Sequence, residues 1–136
     1  MSIETFIEQF SQPDTGWFAD HMSRWDLAIK AIEAIGDCIK HGECWCYPTT
    51  APDGYSRIRV DGRNTTASRL VLCIATGKPL NYGMDACHRS PLCRHKNCIN
   101  PDHLYWETHA ENCRRRELER RARAAIAPLA GDLVTA

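Results

Sequence analysis

CHRSPLCRHKNCINPDHLYWETHAEN, residues 87–112, decides how this chain is read. Cys93, Cys98 and His103 are each separated by four residues, and a strand-like run, Leu104 to Trp106, begins immediately after the last of them. Thiolates and imidazole are the donors that zinc prefers, and three within one loop point to a structural metal site. Arg94, His95, Lys96, Asn97 and Asn100 make the same loop too polar to be ordered by apolar burial. Scattered buried cysteines with a core histidine therefore explain the segment less well than a metal does. A closed site needs a fourth donor, and ECWCY supplies Cys44, with Cys46 as the alternative. A separate local site from Cys38, His41, Cys44 and Cys46 ranks lower, because two of those residues precede any clear loop.

Around this loop the chain reads as one small α+β unit. At 136 residues, 43% hydrophobic and 25% charged, it has the composition of a single globular domain. No apolar run is long enough to span a bilayer, so no membrane partner is expected. The first ten residues carry acids where a signal peptide carries bases, which predicts a cytoplasmic protein, and eight cysteines in a reducing compartment favour metal over disulfides. Residues 1–43 are predicted as an N-terminal helical segment, with Trp17, Phe18, Met22, Trp25, Leu27, Ile29, Ile32 and Ile35 at mostly helical spacing between 15 and 40. GYSRIRV, residues 54–60, alternates in polarity, and Asp61-Gly62 is a hairpin turn signal before a return strand Arg63 to Thr66. SRLVLCIAT then reads as a helix ended by Gly77. Thr108 and Glu111 form a capping box that starts the last helix and puts Asn112 in its first turn. Residues 127–136, with Pro128 and Gly131, are expected to form a flexible tail.

Net charge is zero, yet Arg114, Arg115, Arg116, Arg120, Arg121 and Arg123 crowd one stretch of the last helix. Such a run is either a solvated face or a contact surface for a phosphate backbone. His41, His95 and His109 read as surface groups.

Residues 87–112, with ECWCYPTTAPDGYSRIRVDGRNTTASRLVLCIATGKP before them, resemble the HNH, or His-Me finger, endonucleases of phage type and the His-Cys box homing endonucleases. The resemblance covers about residues 44–116, within a domain expected to span 44–126. It implies a ββα-metal finger with a zinc-stapled loop, preceded by a hairpin and helix. It also implies a histidine general base, His88, an asparagine that holds the zinc loop, Asn100, and a helix asparagine that binds catalytic Mg2+, Asn112, with Mn2+ as a substitute. An arginine on the hairpin, Arg57 or Arg59, would contact the scissile phosphate. These two share one strand face, opposite Ile58 and Val60. Arg114, Arg115, Arg116 and Arg120 would add backbone contacts, the partner being double-stranded DNA and the protein a monomer or a homodimer. The chain differs from these families at Ser68, where a histidine often precedes the helix arginine, and has no cysteine after Cys113. A non-catalytic zinc module binding nucleic acid is the alternative function, and a protein-binding zinc adaptor a more distant one.

Overall fold

Among the described residues, three antiparallel hairpins and three helices surround one apolar centre, and a fourth, long helix leaves it. The computed structural model describes residues 2–10, 24–60, 62–89 and 93–135. The expected contributions of Trp17, Phe18 and Met22, and of Asp61 to its turn, lie outside the described residues. Helices α1 (Ile3–Phe10) and α2 (Arg24–Gly36) come first, followed by β1 (Ile39–His41) and β2 (Cys44–Cys46). Next are β3 (Arg57–Val60), β4 (Arg63–Thr66) and helix α3 (Ala67–Thr76). The chain closes with β5 (Asp85–His88), a single 3-10 turn (Pro101–His103), β6 (Leu104–Glu107) and α4 (His109–Thr135). The architecture is α+β, and no helix among the described residues is long and apolar enough to cross a membrane.

Helix α3 is the hub. Ala67, Ser68, Leu70, Val71, Leu72, Cys73 and Ile74 are all buried, so the helix is covered on nearly every side, which its run of apolar residues requires. It packs against α1, α2, β4, β5, β6 and the 3-10 turn. Phe6, Leu27, Ile35, Val60 and Ile99 form its fully buried surroundings, with Trp45 beside them. Both ends of α3 are closed by local chemistry. The Thr66 hydroxyl accepts from the Arg69 amide at 3.2 Å, and Gly77, at φ 71°, donates its amide to the Cys73 carbonyl from a left-handed conformation that suits glycine.

The hairpins follow from their turns. Gly42, at φ 62°, and Glu43 link β1 to β2, whose register pairs His41 with Cys44. Strands β3 and β4 pair from Arg57–Thr66 to Val60–Arg63, as the alternation of residues 54–60 predicts. The ends of β5 and β6, His88 and Leu104, are direct partners, so the whole cysteine loop is the connection of one hairpin. Thr108 and Glu111 exchange the two capping hydrogen bonds, at 3.2 and 3.3 Å, and α4 begins where the capping box puts it.

Three expectations change. Residues 39–41 form a strand rather than the end of a helix, because after Gly36 the chain turns back to pair with β2. A boundary between 43 and 44 falls inside that hairpin, and α1 and α2 share the core with α3, so residues 1–43 are not a separate segment. Helix α4 continues through residues 127–135, where a flexible tail was expected. Alanines at 122, 124, 125, 127 and 130 favour helical backbone there against the cost of Pro128.

Replacing Thr66 by alanine removes the cap of the hub helix without creating a cavity. It is expected to lower unfolding free energy by about 1 kcal/mol, read as a lower urea midpoint at unchanged m-value.

Candidate metal centre and adjoining cleft

Cys44, Cys93, Cys98 and His103 place one donor atom each within 4.8 Å of one another, all four side chains buried. The histidine uses Nδ1, which stands 3.5 Å from Cys44 Sγ and 3.6 Å from Cys98 Sγ, while Cys44 Sγ lies 3.8 Å from Cys93 Sγ. Such a set of soft donors can hold one metal ion. The expected ligands are thus brought together, and of the two candidates in β2 it is Cys44 that joins them.

Backbone pairing explains why a residue so distant in sequence arrives there. The Tyr47 amide donates to the Asn97 carbonyl at 2.9 Å and the Ile99 amide to the Trp45 carbonyl at 2.7 Å, so the loop lies against β2 as a short antiparallel strand. Alternation along β2 then sends Trp45 into the apolar core and Cys44 and Cys46 to the opposite side, toward the loop sulfurs. Asn100 completes the staple. Buried to 2% exposure, it donates Nδ2 to the Glu43 carbonyl at 2.7 Å and accepts from the Asp102 amide at 3.0 Å, capping the turn that delivers His103. It ties the loop to the β1–β2 turn and is not among the residues lining the cleft described below.

The cluster thiols differ in acidity. The hydrogen bond with Cys93 holds Cys98 below the usual thiol range, against its own burial, whereas the partner Cys93 is pushed up. Burial raises Cys46 to about 11. Cys38 donates to the Ala34 carbonyl at 3.3 Å and His41 stacks on His95 at 5.5 Å, so neither joins Cys44 in a local site.

An open cleft of about 620 Å³ adjoins the centre. His88, at the end of β5, and Asn112, in the first turn of α4, both line it, together with Tyr55, Lys96, Arg116 and Arg120. His88 Nε2 lies 2.9 Å from the Cys98 carbonyl. A carbonyl can only accept, so Nε2 carries the proton and Nδ1 keeps its lone pair. Burial lowers the His88 pKa and so favours the neutral ring, opposed in part by the bond to Cys98. The Tyr55 ring is tilted 45° to it at 6.3 Å, and Lys96 Nζ stands 5.6 Å over the same tyrosine.

Asn112 is fixed at both ends of its amide. Its Nδ2 donates to Asp85 Oδ2 at 2.8 Å and its Oδ1 accepts from Arg115 Nη2 at 3.0 Å. Asp85 also accepts from His109 at 2.9 Å, and these two bonds, that of Asn112 first, hold its carboxyl below the usual range. Arg115 reaches Glu107 at 3.1 Å and Glu119 at 2.8 Å, so this arginine braces the asparagine, whereas Arg114 and Arg116 are exposed. Arg120 pairs with Glu117 at 2.6 Å on the surface. Arg57 forms a two-bond pair with Asp53 at 2.6 and 3.2 Å, and Arg59 is exposed on β3. Neither is among the residues lining the cleft, where Tyr55 from the same segment stands instead.

Two groups have roles that the sequence did not assign. Asp85 lies three residues before His88, and only the β5–β6 register brings it under α4. Arg69 donates to the carbonyls of Leu80 at 3.0 Å, Met84 at 2.6 Å and Tyr82, fastening the segment that leads into β5. A helix arginine carries no sequence signal for such a role.

The donor set predicts a sharp contrast within β2. Cys44→Ala is expected to abolish stoichiometric metal binding and to lower the thermal midpoint by many degrees, while Cys46→Ala keeps the metal. Metal analysis of the desalted proteins, with calorimetry, checks both. Comparison with family models, with curated proteins and with solved structures gives no match for this chain.

Proposed function

We propose that the chain is a metal-dependent DNA endonuclease of the HNH, or His-Me finger, type, with zinc in the Cys44, Cys93, Cys98 and His103 centre. The observation that carries this reading is the pairing of His88 and Asn112 in one basic cleft, with His88 tied through Nε2 to the carbonyl of a metal-site cysteine. The hairpin β5–β6 followed directly by α4 fits the ββα finger that the sequence resemblance implies. Three thiolates and one imidazole suit tetrahedral zinc, which would close the loop and fix Cys98.

Phosphodiester hydrolysis needs a base for the attacking water and positive charge around the phosphorus. Neutral His88, with Nδ1 unprotonated, takes the proton from water as its oxygen attacks phosphorus. Bonding to the Cys98 carbonyl keeps the ring in the tautomer that can accept, and steadies the imidazolium that forms. The Asn112 amide is anchored on Asp85 through Nδ2, so its oxygen faces away from that carboxylate, as a hard ligand for a divalent ion should. Asn112 would hold Mg2+ or Mn2+ there, and such an ion would stabilise the negative charge that develops on the departing 3′ oxygen. Arg115 must release Asn112 Oδ1 for this, and Glu107 and Glu119 remain to hold the guanidinium. Lys96, Arg116 and Arg120 line the same cleft and suit the flanking phosphates of double-stranded DNA.

Incubated with supercoiled plasmid, the zinc-loaded chain is expected to nick or linearise it in Mg2+ and not in EDTA. His88→Ala, with zinc retained, should lower the rate by about 100-fold or more. Asn112→Ala should act likewise and raise the Mg2+ concentration needed. Plasmid and phage DNA left intact in both Mg2+ and Mn2+, with salt-dependent binding preserved, would establish the non-catalytic nucleic-acid module instead.

A further inference from the structure

Cys46 contributes a fifth donor to the neighbourhood of the metal centre without belonging to it. It is 5% exposed and lies in one buried cluster with Cys44, Cys93 and Cys98. Its direct partner across the short ladder is Cys98. The flanking hydrogen bonds run from the Tyr47 amide to the Asn97 carbonyl and from the Ile99 amide to the Trp45 carbonyl. Cys46 and Cys98 are therefore a non-hydrogen-bonded antiparallel pair, the kind in which opposed side chains come closest. Such pairs have Cα atoms about 4.5 Å apart, inside the roughly 4.4–6.8 Å that a disulfide spans. Both side chains point to the same side of the ladder, because Cys46 shares its strand face with Cys44.

We propose that Cys46 and Cys98 form a reversible cross-strand disulfide under oxidation by hydrogen peroxide, and that this bond withdraws Cys98 from the metal centre and releases the ion. The Cys98 sulfur attacks one peroxide oxygen, the O–O bond breaks, and hydroxide leaves to be protonated to water. Cys98 is now a sulfenic acid. The Cys46 sulfur attacks the Cys98 sulfur, the S–O bond breaks, and the oxygen leaves as a second water with the proton from Cys46. Two thiols lose two electrons and peroxide gains them. A centre left with Cys44, Cys93 and His103 has three donors where structural zinc wants four, so it gives up the ion. The same event pulls on the carbonyl that holds His88, since that carbonyl belongs to Cys98. The inference rests on the metal reading above and is independent of nuclease activity.

The test uses the full chain loaded with zinc, carrying Cys113→Ser to remove the exposed thiol, with a chromophoric zinc chelator present. Peroxide is expected to release one zinc per chain with the loss of two thiols, and peptide mapping to find Cys46 joined to Cys98. Dithiothreitol should then restore zinc binding. Cys46→Ala, with Cys46→Ser as a second variant checked for folding by circular dichroism, should bind zinc normally and release it ~10-fold more slowly under the same oxidant. A cross-link between another pair, such as Cys44 and Cys93, overturns the proposal. So does release at the unaltered rate from the Cys46 variants, or loss of zinc from them before oxidation. A chain that takes up no zinc overturns the metal reading and with it the release of the ion, while the disulfide map still decides the pairing of Cys46 with Cys98.

Discussion

Cys44 must meet Cys93, Cys98 and His103, and most of the local architecture serves that meeting. The donors come from two segments about fifty residues apart, and four buried donor groups have little reason to cluster by apolar attraction alone. Backbone pairing between β2 and the loop, the Asn100 bond to Glu43 and the 3-10 turn each remove freedom from one partner. A metal ion held there would add the direct attraction, and its binding energy would then count as folding energy. His88 inherits its orientation from this arrangement, because the carbonyl that holds it is the backbone of a cluster cysteine.

The apolar core and the metal centre are separate solutions to one problem, joined at Trp45 and Ile99. In β2 the alternation of CWC gives one side chain to the core and two to the cysteine cluster. Ile99 does the same for the loop, its side chain fully buried in the core between Cys98 and Asn100. A chain of this size has little spare apolar surface, so sharing two strands between the centres lets a small core orient a polar loop.

Much of this was legible in sequence, for identifiable reasons. Ligand spacing in the loop, the alternation in residues 57–60, Gly77 after an apolar run and the Thr108–Glu111 box are local signals, and each concerns residues near one another in the chain. What stayed hidden depends on tertiary placement. The choice of Cys44 over Cys46 depends on how β2 is seated against the loop. Asp85 becomes the anchor of Asn112 only through the β5–β6 register, and Arg115 turns inward because Glu107 ends the neighbouring strand. A run of arginines looks uniform in sequence, yet one member braces the site while others remain at the surface. Residues 39–41 look like a helix end until the β2 partner is known.

Arg69 has an implication for how this chain tolerates change. It grips the segment before β5 through main-chain oxygens of Leu80, Tyr82 and Met84, and also stacks 5.2 Å over Trp106. Main-chain oxygens are present whatever side chain is attached to them. The grip itself is therefore indifferent to the identity of the connecting residues, although Leu80 also packs against the core and Tyr82 stands edge-on to Trp106 at 5.0 Å. Lysine cannot replace the arginine, because a single ammonium lacks the planar fork that serves three acceptors at once. Sequence variation is thus expected at the exposed Asn81 and Gly83 of the gripped segment and to be absent from the residue that grips it.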